Sequence, residues 1–223
     1  MIDDRDAVVQ HPRPMVSPPD AAVAAVHVVD DDAGLRTALD SLFRSMGYPT
    51  RLYGSAAEFM ASGAASAAGC LVLDIRLPGT SGLDFQQQLA DAGVTMPVIL
   101  MTGHGDIPMT VRGMKAGAID FLPKPFREQD MLDAVAAALA RDASTRAERS
   151  QSDDLRHRFE TLSARERDVM GRVATGKMNK QIAFDLGLSE ITVKIHRGNA
   201  MRKMGAKTLA DFVRMAETLK LPA

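Results

Sequence analysis

The chain has 223 residues, 46% of them apolar and only 4% aromatic, so one or two domains with cores of Ala, Val, Leu and Met are expected. No apolar run approaches the ~20 residues of a bilayer span. The acidic N-terminus lacks the apolar segment of a secretory signal, and the single Cys70 excludes an internal disulfide, all in keeping with a reducing cytoplasm. The net charge of −1 hides an asymmetry: residues 1–150 hold 13 Lys+Arg against 19 Asp+Glu, a net of −6, whereas residues 151–223 hold 14 against 9, a net of +5. An acidic front and a basic back point to two domains with different partners.

Residues 1–25, with Pro12, Pro14, Pro18 and Pro19 among small and polar residues, read as a disordered extension. A first strand follows at Val26–Val29 and runs into Asp30-Asp31-Asp32. Leu35, Leu39, Leu42, Phe43 and Met46 then fall at helical spacing up to Gly47. Thr50–Tyr53 is a short second strand, and Ser55 with Glu58 has the capping-box pattern of a second helix. Cys70–Asp74 is an apolar run stopped by one aspartate and a Pro78-Gly79 turn, which reads as a buried third strand. A third helix begins at Ser81, a fourth strand covers Met96–Met101 and ends at Thr102, and Asp106 with Pro108 starts a fourth helix. Ala118–Leu122 is the fifth strand, broken by Pro123-Lys124-Pro125-Phe126, and a fifth helix opens near Glu128.

Strands alternating with helices predict a parallel sheet covered on both faces. In such a sheet the strand ends share one edge, where ligands bind. Asp74 alone is better explained as a turn cap. Together, however, the strand ends deliver Asp30 and Asp31, Asp74, Thr102 and Lys124 to that edge. Clustered carboxylates repel one another unless a cation is present, and carboxylate oxygens suit Mg²⁺. An aspartate can take a phosphoryl group as nucleophile. Phosphoryl transfer then asks mainly for positioning and positive charge, which Mg²⁺ and Lys124 would supply, while Thr102 donates to a phosphate oxygen. No second acid or base argues for turnover, so a phosphate held and sensed is favoured over a Mg²⁺-dependent phosphatase. His27 reads as packing or surface, and His104 as a loop residue or a neighbour of the site.

From Arg127 to about Glu160 no Pro or Gly interrupts the chain, which fits either a long linker helix or a loose tether. Leu162-Ser163-Ala164-Arg165-Glu166 opens a helix with a second capping box, closed by Gly176. Asn179–Leu186 is a short helix, Gly187-Leu188 turns the chain, and Ser189 caps a helix from Ile191 to about Met204. This is a helix-turn-helix signature. The second helix carries Lys194, His196, Arg197, Arg202 and Lys203 against Glu190. Its N-terminal part, with Lys194 and Arg197, is expected at base edges, and Arg202 and Lys203 at phosphates.

Val-Asp-Asp at 29–31, Leu-Val-Leu-Asp at 71–74, Met-Thr-Gly-His-Gly at 101–105 and Lys-Pro-Phe at 124–126 resemble a response-regulator receiver domain of the FixJ type. Gly105–Thr110 and Leu122–Phe126 bring the styrene-regulator branch nearest. The resemblance implies the flavodoxin-like strand order 2-1-3-4-5, phosphorylation of Asp74 by a sensor histidine kinase, and Mg²⁺ held by Asp30, Asp31, Asp74 and the Arg76 backbone carbonyl. It also implies a switch pair of Thr102 and Phe121 and a cis Lys124–Pro125 bond. Asp32 is read as a helix cap. Residues 162–215 resemble the LuxR/NarL-type DNA-binding domain, through Leu-Ser-Ala-Arg-Glu-Arg, Met-Asn-Lys-Gln-Ile-Ala and Thr-Val-Lys-Ile-His-Arg-Gly-Asn. There the groove-facing positions fall on Lys194, Ile195 and Gly198, and the helix from Thr208 to about Thr218 serves dimerisation. The expected division is a disordered 1–25, a receiver domain over 26–140, a linker over 141–160 and a helix-turn-helix domain over 161–223. The expected DNA contacts are Thr192, Lys194, Ile195, Arg197, Gly198 and Lys203. The partners are a histidine kinase, double-stranded promoter DNA and a second copy of the chain when phosphorylated, with RNA polymerase as a further partner the family admits, and no membrane. A regulator whose receiver domain works without phosphate is the remaining alternative.

Overall fold

The structure is a computed structural model and describes residues 23–103 and 107–221. His104, Gly105 and Asp106, and residues 1–22 of the expected N-terminal extension, lie outside the described residues. The chain divides into two units, 1–142 and 143–223.

In the first unit five parallel strands stand in the order β2-β1-β3-β4-β5: β1 Ala25–Val29, β2 Thr50–Tyr53, β3 Gly69–Asp74, β4 Val98–Thr102 and β5 Asp120–Pro123. The three inner strands are buried along their whole length, as continuous apolar runs require when helices cover both faces. Side chains alternate between the faces. Leu71, Leu73 and Leu100 meet Phe59 of α2 (Ala56–Ala61) and Leu83, Phe85 and Leu89 of α3 (Gly82–Asp91) on one face. Val28, Val72 and Ile99 meet Leu39 and Phe43 of α1 (Ala33–Ser45) and Met131 and Val135 of α5 (Glu128–Glu160) on the other. Helix α4 spans Ile107–Lys115.

Several strand boundaries moved: β3 starts at Gly69 instead of Cys70 and β4 at Val98 instead of Met96. β1 starts at Ala25, inside the stretch read as a tail, because its amide pairs with the Ala68 carbonyl at 3.0 Å. β5 starts at Asp120 and includes Pro123. As an edge strand it pairs only with β4, so a residue without an N–H is tolerated there. The Ser55 box is half formed: Ser55 caps Glu58, but the Glu58 carboxylate takes the Gly54 amide at 2.6 Å. His27 is buried, with Nδ1 3.2 Å from the Tyr53 hydroxyl, and burial first and Arg51 second push it down to about 4. Burial pushes the Cys70 thiol up to about 12, helped by Asp142, so it is an inert core group.

Helix α5 is continuous from Glu128 to Glu160. Its later residues Leu155 and Phe159 pack into the core of the second unit, so helix occupies the stretch where a tether was the alternative. That unit continues with α6 Ala164–Ala174, α7 Asn179–Leu186, α8 Glu190–Met204 and α9 Leu209–Thr218. Val169, Met170, Ile182, Val193, Ala200, Met204 and Phe212 are fully buried between them.

Candidate functional site

Register assembles the first site. Val29 pairs with Leu73, Asp74 with Met101 and Thr102 with Pro123. The next residues of β1 and β5 are therefore Asp30 and Lys124, and they reach the same edge as Asp74 and Thr102. The Lys124 amide donates to the Thr102 carbonyl at 2.6 Å, and the Lys124–Pro125 bond is cis. Gly82 lets the start of α3 close over Asp74: a Cβ there would lie 2.2 Å from the Asp74 carbonyl oxygen.

The Lys124 ammonium bridges Asp30 Oδ2 at 2.7 Å and Asp74 Oδ1 at 2.9 Å. Asp30 and Asp74 are buried and Asp31 is exposed at the mouth, and single oxygens of the three lie within 4.8 Å of one another. Three carboxylate oxygens are hard donors of the kind Mg²⁺ prefers, so the residues fit that ion. Burial raises the Asp74 pKa; Lys124 and the Arg76 amide work against it, and Asp30 adds to the rise. Asp30 is fixed from both ends: its carboxylate accepts the Asp32 amide at 2.8 Å and its carbonyl accepts from Arg36 Nη1 at 2.6 Å. Arg36 was missed by the sequence reading, because an arginine one turn into a helix carries no motif of its own. Asp32 is the α1 cap, accepting from the Gly34 and Leu35 amides. Thr102 is fully buried, and Phe121 is half-buried against the α3 side of the sheet.

The second site is α7-turn-α8. Gly187, at a φ of 63°, makes the turn a β-carbon would strain, and Ser189 Oγ caps α8 by accepting the Thr192 amide at 3.1 Å. At about 100° per residue, the buried stripe Val193, Ala200 and Met204 fixes the outward side opposite it. That side holds Ile191, Ile195, Gly198 and Arg202, with Lys194 at its margin, all exposed. Ile191, 75% exposed, was not singled out from sequence, where it only marks the start of the helix.

Two of the expected DNA contacts also pair within the unit. Arg197 is turned toward the buried stripe and its Nη1 donates to Asn179 Oδ1 at 3.0 Å, joining α8 to α7. Lys203 donates to Glu166 Oε2 at 2.7 Å and to the Thr161 carbonyl at 3.2 Å, joining α8 to α6. The guanidinium and the ammonium each brace neighbouring helices of the unit. The Thr192 hydroxyl sits 2.8 Å from Ser189 Oγ, inside the cap.

The geometry is that of an aspartate pocket on a doubly wound sheet, followed by a basic helix-turn-helix unit. Residues 26–136 match the response regulator receiver domain family, and residues 160–216 match the bacterial regulatory proteins of the luxR family. The chain is 56% identical to nodulation protein W of Bradyrhizobium diazoefficiens over 200 residues, 90% of this chain and 88% of that one. It is 45% identical to the response regulator protein TodT of Pseudomonas putida over 197 residues, 88% and 87% of the two chains. The solved response regulator StyR superposes with a TM-score of 0.81 at 46% identity, covering 88% of this chain and 99% of that one. The chain belongs to the two-component response regulators that join a receiver domain to a LuxR-type DNA-binding domain, and is a transcriptional regulator of that class. Among the described residues no helix is long and apolar enough to cross a membrane.

Proposed function

We propose that Asp74 is the phosphoacceptor of this regulator and that phosphorylation by a sensor histidine kinase sets its occupancy of promoter DNA. The observation that carries this is the Lys124 ammonium bridging two buried carboxylates at the strand edge, with Asp31 at the mouth. One Asp74 oxygen forms the bond to phosphorus as the bond from phosphorus to the donor's leaving atom breaks. Lys124 then shifts its charge toward the phosphoryl oxygens, the Thr102 hydroxyl donates to one of them, and Phe121 answers the Thr102 movement as the second half of the switch. Asp30, Asp31, Asp74 and the Arg76 carbonyl would hold Mg²⁺, which when bound would supply charge neutralisation. The chain acts as a regulator and not as an enzyme in this reading, in the cytoplasm, where its kinase donor and DNA are. Its phosphorylated form pairs on two half-sites as a homodimer, with α9 as the dimerising helix, Lys194, Ile195 and Gly198 toward the groove, and RNA polymerase as a downstream partner.

Incubation with acetyl phosphate and Mg²⁺ followed by intact mass tests the acceptor. Wild type should gain one phosphoryl group and Asp74→Asn none. A full adduct on the Asn variant overturns the assignment, and an unmodified wild type leaves a regulator that works without phosphate. Sedimentation of treated and untreated protein tests the dimer: unchanged mass alongside a strong gain in DNA affinity would refute it.

A further inference from the structure

The outward side of α8 is unusual for a helix in a basic unit. Ile191 is 75% exposed and Ile195 57% exposed, at the first and second turns, and both sides of the helix are therefore apolar. Exposed large apolar groups clustered on one side mark a contact surface. Lys194 lies on the flank of this side, exposed and with no side-chain hydrogen bond to protein among the described residues. Gly198 completes the side one turn on, and a Cβ built there meets nothing within 4 Å, so the helix is open to close approach. The other basic groups of α8 are engaged: Arg197 with Asn179, Lys203 with Glu166, and Arg202 with Asn199 Oδ1 at 3.0 Å.

We propose that α8 reads its duplex chiefly through thymine methyl groups, with Ile191 and Ile195 as the reading residues and Lys194, on their flank, as a side chain that donates to a base edge. The inference rests on the DNA-binding reading of this unit and deepens it. In the major groove only thymine offers an apolar group, its C5-methyl, and it is matched by apolar side chains. An isoleucine pair one turn apart spans neighbouring base pairs. The occupant is duplex DNA because the surrounding unit carries a net of +5 and presents this side at the N-terminal turns of the second helix of a helix-turn-helix. A side built to hydrogen-bond would carry Asn, Gln or Arg at 191 and 195. Here the specificity comes from water excluded between two hydrocarbon surfaces.

The test uses the full chain with Mg²⁺ and acetyl phosphate and a pool of random duplexes. The enriched duplex is resynthesised with each thymine replaced singly by deoxyuracil, which removes the methyl and keeps the Watson–Crick edge. Wild type should lose about fourfold in affinity per methyl removed, the transfer free energy of one methyl-sized group, at one or two positions per half-site. Ile191→Ala or Ile195→Ala should bind the thymine and uracil duplexes alike at its own position, while Ile191→Val keeps most of the discrimination. Both sites are exposed, so the variants should keep the wild-type circular dichroism and melting. An enriched site without thymine, or equal wild-type affinity for every thymine and uracil pair, overturns the inference. Failure of any duplex to be enriched overturns the DNA reading itself, a result told apart by the absence of a selected sequence.

Discussion

Lys203 separates a structural role from a DNA contact, and Lys203→Met decides between them. Glu166 is 5% exposed. Its carboxylate accepts the Ser163 amide at 2.8 Å and the Lys203 ammonium at 2.7 Å, and Lys203 also holds the Thr161 carbonyl at 3.2 Å. Removing the ammonium leaves a buried carboxylate with one amide partner. A charge-assisted hydrogen bond to such a group contributes roughly 1.5–3 kcal/mol. The Lys203 side chain is 37% exposed, which screens part of that, so about 2 kcal/mol is the expected loss. In a unit of this size that is a fall of roughly 10 °C in the melting temperature. Burial works to raise the Glu166 carboxyl, but Lys203 and Ser163 outweigh it and hold it below the usual carboxylate range. A depressed folded pKa gives stability that is present above the unfolded value, about 4.3, and is lost as pH falls through the folded one. Lys203→Met should flatten that acid limb, and Glu166→Gln in the same chain should recover part of the loss. Both tyrosines, Tyr48 and Tyr53, lie in the first unit, so calorimetry of the full chain is the assay for the second. An unchanged melting temperature with a uniform loss of DNA affinity, and a salt slope lower by about one, would show that Lys203 meets phosphate after all.

His27 is buried neutral with its pKa down to about 4. The unfolded chain therefore takes up a proton that the folded one refuses, and stability of the first unit should fall as pH drops from 6.5 toward 4, by about 3 kcal/mol at most. Urea midpoints followed by tyrosine fluorescence between pH 7 and 5 measure this, and an equal slope in His27→Leu would refute it. Gly69 has a φ of 143°, and a Cβ there would fall 1.9 Å from the Ala25 carbonyl oxygen. Gly69→Ala should cost more than about 3 kcal/mol by forcing β1 and β3 apart; a wild-type urea midpoint would show the strands can yield.

Sequence alone carried the alternation of apolar runs and helical spacings that gives a parallel doubly wound sheet, and the turn and capping residues that give the helix-turn-helix. Both are local patterns whose period survives without knowledge of partners. It also carried Asp30, Asp31, Asp74, Thr102 and Lys124 as one edge, because in a parallel sheet every strand ends on the same side. What sequence could not decide was how polar groups pair across distance. The partners that Arg197 and Lys203 take within the unit were not legible, because composition shows charge and not its partner; Asn179 and Glu166 stand 18 and 37 residues away. The outward place of Ile191 was not legible, because hydropathy cannot tell the two sides of a helix that is apolar on both. The buried stripe of Val193, Ala200 and Met204 fixes which side faces out, and that stripe exists only once α6, α7 and α9 are packed against it. Spacing is encoded residue by residue, whereas the rotation of a helix about its axis and the destination of a long charged side chain are set by the neighbours that bury them.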